Sequence, residues 1–441
     1  MSRRARERLT WLALTVFFGL QIRHDFLGIM DPTFKMGFQE DSDSLVRDLM
    51  LDPGPGIFPL LGGVGREYPS QFGLQGIVMN WASPGDLFYE QLRLVTCFLT
   101  AAVFATAVVA AGRVWGRRAA VVLAVLLTLS FWTNVFGAST YWQLWTFLLP
   151  TLVPLLVWPR LGAGRRKWVK GGLLIAFLVF LRCLNGYEFI STVLLGTAAA
   201  VAFHEFRGRV DRRFLAGLVA AMAAGVVGFG MAVGVHVLQL LARFGDASII
   251  EQRLEERTFD PSDVARILDS ARAQGDPVWG WLLDGDGVVG LWLFRMVHYL
   301  LNPAVSFPAY REAGFGFSSF GLPVYLFVFV FFVLAIHAWR GRQVDAPLQR
   351  RLAVAAGLGL LGAFSWMVLA VGHMLDHPHL DTIVFYLPFL PFVFAMISVR
   401  LATISYRAWP SHRRGGEEHA GGAVFREGTG THRPADAGAA S

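Results

Sequence analysis

Apolar residues are laid out along this chain in continuous runs rather than in alternation, with polar or basic residues between them. Each run is about 17–25 residues long, enough for a helix to cross roughly 30 Å of hydrocarbon. Ten spans follow, at about 9–29, 90–112, 119–136, 143–158, 171–186, 188–204, 214–241, 319–338, 352–371 and 382–401. A further apolar stretch at 288–301 reads as a short interfacial segment or an eleventh span. Strands of a membrane barrel would alternate with period two, so that architecture is excluded. The pattern predicts an all-α polytopic membrane protein with about ten transmembrane helices.

Composition agrees, since 54% of the 441 residues are hydrophobic and only 16% charged, where a soluble domain carries roughly a quarter. Charge adds an orientation. Arg3, Arg4, Arg6 and Arg8 precede the first span, and later basic clusters are Arg113/Arg117/Arg118, Arg160/Arg165/Arg166/Lys167/Lys170, Arg207/Arg209/Arg212/Arg213 and Arg340/Arg342/Arg350/Arg351. Ten spans put all of these and both termini on one face, which the positive-inside rule makes the cytoplasmic face of a plasma (inner) membrane. The net charge of +7 is thus an orientation signal. Its arginines are dispersed among loops, which speaks against nucleic-acid binding. The basic N-terminus with 9–29 lacks a small-residue cleavage site and reads as an uncleaved span. Cys97 and Cys183 lie inside spans, as packing residues rather than disulfide partners. Residues 409–441, rich in Pro, Gly, Ala, Arg and His, read as a disordered cytoplasmic tail after one membrane domain, 1–408.

The opposite, extracytoplasmic face receives two long loops, about 30–89 and 242–318, and three short turns. In the first, Ser44 to Leu51 alternates apolar and charged groups like a short amphipathic helix. In the second, Ser262 is placed to cap a helical piece after Asp260-Pro261, and Trp279, Trp281, Trp292 and Phe294 suit an interface. Polar groups concentrate at five places on this face. Glu40, Asp41 and Asp43 offer a general base for a sugar hydroxyl, and the Asp41/Asp43 spacing is compatible with one shared divalent cation. Tyr68, Gln71 and Gln75 offer a phenol and amides for a hydroxyl-rich ligand. Arg182, Asn185, Tyr187 and Glu188 follow; Arg182 suits either a phosphate or an ion pair with Glu188 that closes a helical hairpin. His373, His377 and His379, with Asp376 and Asp381, suit hydrogen bonds to phosphate or a metal. Arg295, His298, Tyr310 and Arg311 form a last cationic group. Each place has a structural reading, but idle burial of so many polar groups would cost several kcal/mol.

A first span, a large outer loop bearing acidic residues and a short amphipathic helix, and then many spans with short turns resemble the GT-C class of membrane glycosyltransferases. The likeness covers nearly the whole chain at the level of architecture. The acidic pair stands here as Glu40-Asp41, where several members have Asp-Glu. The resemblance implies transfer of a sugar from a polyprenyl-phosphate donor to a glycan, lipid or protein acceptor outside the membrane. It implies Asp41 as base, with Glu40 and Asp43 as reserves, and Arg182, Arg295, Arg311 and His373 as partners of the phosphate. No organic cofactor is expected, and Gly62-Gly63-Val64-Gly65 precedes no phosphate-loop Lys-Ser/Thr. The competing classes are a transporter or flippase, a lipid-linked-glycan ligase or polymerase, and a non-catalytic scaffold. A transporter would show charges at mid-span and helices broken in two related halves; Gly225 to Gly234 instead suggests close helix packing.

Overall fold

The first helix, α1 (Arg3–His24), starts where the Ser2 hydroxyl accepts the Ala5 N–H at 3.2 Å. It stops at Asp25, left-handed at φ 48°, whose carboxylate accepts the N–H groups of Ile29 and Met30 at 2.7 and 2.9 Å. The first span is therefore helical only to residue 24, because a side chain takes over the last backbone donors. We describe here a computed structural model, covering residues 1–30, 40–51, 58–63, 67–82, 88–249, 251, 288–306, 321–341, 345–376 and 381–408. By internal contacts the chain divides into Met1–Ala402 and Thr403–Ser441; of the second, 403–408 are described and helical.

After α1 come two short helices, α2 (Ser42–Leu51) and α3 (Leu74–Ala82), and then α4 (Tyr89–Trp115), α5 (Arg117–Thr128), α6 (Phe131–Ala138), α7 (Leu144–Val157), α8 (Gly164–Asn185), α9 (Ile190–Glu205) and α10 (Arg212–Phe244). The chain continues with α11 (Val288–Leu301), strands β1 (Pro303–Ser306) and β2 (Gly321–Pro323), α12 (Val324–Arg340), α13 (Ala346–Leu369), α14 (Val371–Asp376) and α15 (Phe389–Ala408). Among the described residues, α4, α8, α10 and α13 are long and apolar enough to cross a membrane, and α7, α9, α11, α12 and α15 are shorter apolar helices. This is an all-α, membrane-embedded architecture with one two-stranded ribbon among the described residues. The amphipathic Ser44–Leu51 segment lies within α2, and 288–301 is α11. The Ser262 cap, Trp279 and Trp281 lie outside the described residues, as does the 409–441 tail.

The segment read as one span at 119–136 is two helices. α5 ends at Thr128 after 12 residues, a rise of about 18 Å. At the break β1 docks: the Ser306 N–H donates to the Leu129 carbonyl at 2.9 Å, and Ser130 bridges to Val305. Asn134 Nδ2 donates to the carbonyls of Thr128 and Ser130 at 3.0 and 2.7 Å. Irregular backbone inside an apolar bundle persists only where protein groups satisfy it in this way.

The basic junctions share one end of the bundle. Arg113 at the end of α4 pairs with Glu7 of α1 at 3.0 Å, and Lys167 of α8 pairs with Glu205 of α9 at 2.6 Å. At the other end Arg23 pairs with Glu90 at 2.5 Å. Within α10 the glycines divide. A Cβ on Gly228 would sit 2.2 Å from the Ala176 carbonyl of α8, whereas Gly230 and Gly234 have open space. Gly228→Val should cost about 1–3 kcal/mol or more through forced separation of α8 and α10, read as a lower unfolding temperature in detergent. Gly230→Ala should be neutral or slightly stabilising, by up to ~1 kcal/mol of helix propensity.

Candidate functional site

Asp43 anchors the end of the bundle away from the basic loops. It lies on the packed face of α2 with Val46, Leu49 and Met50, and only 1% of it is exposed. Its Oδ1 accepts the Ser139 hydroxyl at 2.6 Å and the Tyr141 N–H at 3.0 Å. Tyr89 of α4 donates to the Asp43 carbonyl at 3.4 Å and lies 3.0 Å from the Thr140 hydroxyl. Arg93, also buried, donates through Nε to the Ala138 carbonyl at 3.4 Å. The turn 139–143, which looks like a plain connection in sequence, is thus held on several sides. Burial pushes the Asp43 carboxyl above the usual carboxylate range, against the bonds from Ser139 and Tyr141 and the charge of Arg93.

Tyr141 connects this anchor to the hairpin between α8 and α9. Its carbonyl accepts Gln75 Nε2 at 3.0 Å, its hydroxyl reaches Glu188 Oε1 at 3.5 Å, and its ring packs edge-on to Tyr68 at 6.4 Å. Gln71 is buried beside Gly186 and Glu188; a Cβ on Gly186 would sit 2.3 Å from both Gln71 Oε1 and Glu188 Oε2. α8 ends at Asn185 and Phe189 is left-handed, so Glu188 lies beyond the helix. Arg182, Asn185 and Glu188 therefore do not share a helical face. Gln143, like Phe189, is a non-glycine residue with positive φ (49° and 61°) flanking this region. Each such residue stores roughly 1–3 kcal/mol of strain.

Arg182 is 2% exposed, in the last turn of α8. Its guanidinium lies 3.3 Å over the Phe147 ring, and Nη2 stands 3.9 Å from Glu188 Oε2, an ion pair too long for a hydrogen bond. Nε and Nη1 have no hydrogen-bond partner among the described residues. Arg182, Asn185, Gln75, Gln143, Thr96 and Thr146 are the polar residues lining a cavity of about 220 Å³ with otherwise apolar walls. Gln75 Oε1 is likewise unpartnered, and Asn185 Nδ2 donates back to the Leu181 carbonyl at 2.8 Å. The wall residues Val95 and Leu99 are 52% and 40% exposed, so the cavity opens on the apolar outer surface of the bundle.

The other sequence-derived positions scatter. Glu40 and Asp41 are exposed just before α2, and Asp41 Oδ2 accepts the Ser42 hydroxyl at 3.1 Å. Asp41 and Asp43 thus take different partners in opposite surroundings, which weighs against one cation shared between them. Tyr187 turns to α10, donating to the Ala232 carbonyl at 3.4 Å and packing on Phe229 and His236. His373 packs against Phe189 and Trp366. Arg295 and His298 lie on α11 with Phe294. Arg311, His377 and His379 lie outside the described residues. Among the described residues no cluster of three or more His, Cys, Asp or Glu is placed for a metal ion. Sequence reading passed over Tyr89, Arg93, Ser139, Tyr141, Gln143 and Phe147.

No protein-family model matches the chain, and no curated protein or solved structure does.

Two outcomes follow for Asp43. Asp43→Ala leaves the Ser139 hydroxyl and Tyr141 N–H unanswered, at about 1–3 kcal/mol each, and should lower the unfolding temperature more than Asp43→Asn. The folded state holds the Asp43 proton more tightly than the unfolded chain. Its contribution to stability is therefore fully present below the unfolded carboxyl pKa and is lost as pH rises through the raised folded value. Unfolding temperatures measured across that range should fall for the wild type relative to Asp43→Asn.

Proposed function

We propose that this protein is a membrane glycosyltransferase that moves a sugar from a polyprenyl-phosphate-linked donor to a cell-envelope glycan, lipid or protein acceptor at the extracytoplasmic membrane surface. The observation that carries the proposal is the buried Arg182, with two unanswered N–H donors, at an apolar cavity that opens toward lipid. A buried guanidinium without hydrogen bonds costs several kcal/mol, and a phosphate would answer Nε from the side of the planar fork or Nη1 from its end, in either case with Nη2 as the second donor. Apolar walls beside that cation suit the first units of a prenyl chain, which no water-soluble nucleotide sugar offers.

In the proposed reaction a carboxylate takes the proton of the acceptor hydroxyl as its oxygen attacks the anomeric carbon of the donor sugar. The bond from that carbon to the phosphate oxygen breaks, and its electron pair leaves with the lipid phosphate. Arg182 stabilises the charge that develops there. Of the acidic run, Asp41 and Glu40 are exposed and accessible to an acceptor, whereas Asp43 is enclosed by its own hydrogen bonds. Asp41, which is exposed and outside the lining of the Arg182 cavity, is the base in this reading, and Asp43 fixes the turn that carries Tyr141 against Glu188.

A second reading, a lipid flippase or transporter, draws on the α5/α6 break, since interrupted helices line the sites of such proteins. Turnover separates the two. Purified protein given a panel of polyprenyl-phosphate sugars should transfer sugar. Asp41→Asn should lose on the order of 100-fold or more in kcat/KM with unchanged unfolding temperature. Arg182→Gln should lose a similar factor together with a lower unfolding temperature, since Glu188 is left buried without its cation. Lipid movement in proteoliposomes without transfer from any donor would sink the transferase reading.

A further inference from the structure

A second and larger cavity, of about 310 Å³, lies at the basic end of the bundle, away from the Arg182 cavity. Leu123 and Leu127 of α5, Leu152 of α7, and Pro391 and Phe392 of α15 are among its walls. Its volume is at the lower limit of ordinary ligand pockets, roughly 300–1,000 Å³. Arg113, Arg160 and Trp115 also line it, and no Asp or Glu among the described residues does. Arg113 is shared with Glu7, but Arg160 is exposed and takes part in no ion pair among the described residues. The Trp115 indole N–H is buried without a partner among them. Val114, at 66% exposure, joins the lining to the outer surface of the bundle.

An apolar cleft with two arginines and an unanswered indole N–H at one end has the polarity of an amphiphile standing head-first at the interface. Water would leave the walls unsolvated, and a free phosphate would use only the cationic end. We infer that this cleft binds an acidic phospholipid of the leaflet at the basic end of the bundle. One acyl chain lies along α5, α7 and α15, and the phosphate meets Arg160, Arg113 and the Trp115 N–H. The occupant is a resident lipid, and the inference does not depend on which reaction the Arg182 site performs. Arginine beside a membrane surface attracts acidic lipid by about 1 kcal/mol, roughly fivefold in retention.

The test is native mass spectrometry of the full chain released from nanodiscs containing equal phosphatidylglycerol and phosphatidylcholine. Wild type should retain phosphatidylglycerol in preference, by at least the roughly fivefold attraction of one arginine. Arg160→Gln should lower that preference by about fivefold while leaving the unfolding temperature unchanged. Leu152→Trp, which fills the cleft and keeps every charge, should reduce retention of both lipids. Equal retention of the two lipids by the wild type would overturn the inference, and so would a preference unaltered by Arg160→Gln. If Leu152→Trp does not fold, the Arg160→Gln comparison still decides.

Discussion

A guanidinium inside an apolar bundle must be answered by something, and at Arg182 the protein answers only part of it. Phe147 lies under its plane and Glu188 stands 3.9 Å away, while Nε and Nη1 meet no acceptor among the described residues. Coulomb attraction at that distance in a partly polar interior is worth about 4 kcal/mol at most, which offsets only part of the desolvation of two buried charges. The surroundings hold the pair in place at some expense of their own. Gly186 admits Gln71 and Glu188 where any side chain would collide, and Phe189 is left-handed. Tyr141 ties Glu188 to the Asp43 anchor. Removing Asp43 would therefore reach Arg182 through two residues, Tyr141 and Glu188, without touching it.

The helices were legible because hydrophobic runs of membrane length leave few alternatives, and each of the ten runs contains a helix. However, 119–136 holds two, 319–338 reaches α12 only after β2, and 382–401 opens with a 3-10 turn (Asp381–Tyr386) before α15. The break within 119–136 was not legible. Thr128-Leu129-Ser130-Phe131 is nearly as apolar as its flanks, and what ends α5 is a strand more than 170 residues further along the chain, docking through Ser306. The end of α1 was misplaced for a related reason, since Asp25 caps the helix through a local side-chain geometry that hydropathy does not register.

At the site, charge in an apolar run pointed to Arg182 and Glu188, and amides near glycines pointed to Gln71 and Gln75; these four come together around Tyr141. The acidic run was read without its helical phase. Asp43, Val46 and Met50 recur at the spacing of one α2 face, a signal available in the sequence that separates the buried carboxylate from the exposed Asp41. Ser139-Thr140-Tyr141 carried no such signal, since its importance comes from what α2 and the α8–α9 hairpin bring to it. Tyr187 and His298 are polar tips on aromatic contacts elsewhere, while His373 packs on Phe189 at the edge of the site, and their residue types alone did not reveal that.

The central claim is that Arg182 is a phosphate receptor left incomplete until a lipid-linked ligand arrives. The most direct measurement is a structure of the full-length protein in nanodiscs with polyprenyl phosphate bound. The account places a phosphate oxygen within about 2.7–2.9 Å of Arg182 Nε or Nη1, with the prenyl chain leaving past Val95 and Leu99. A phosphate bound elsewhere, with Arg182 still lying on Phe147 and its two donors unanswered, would contradict it.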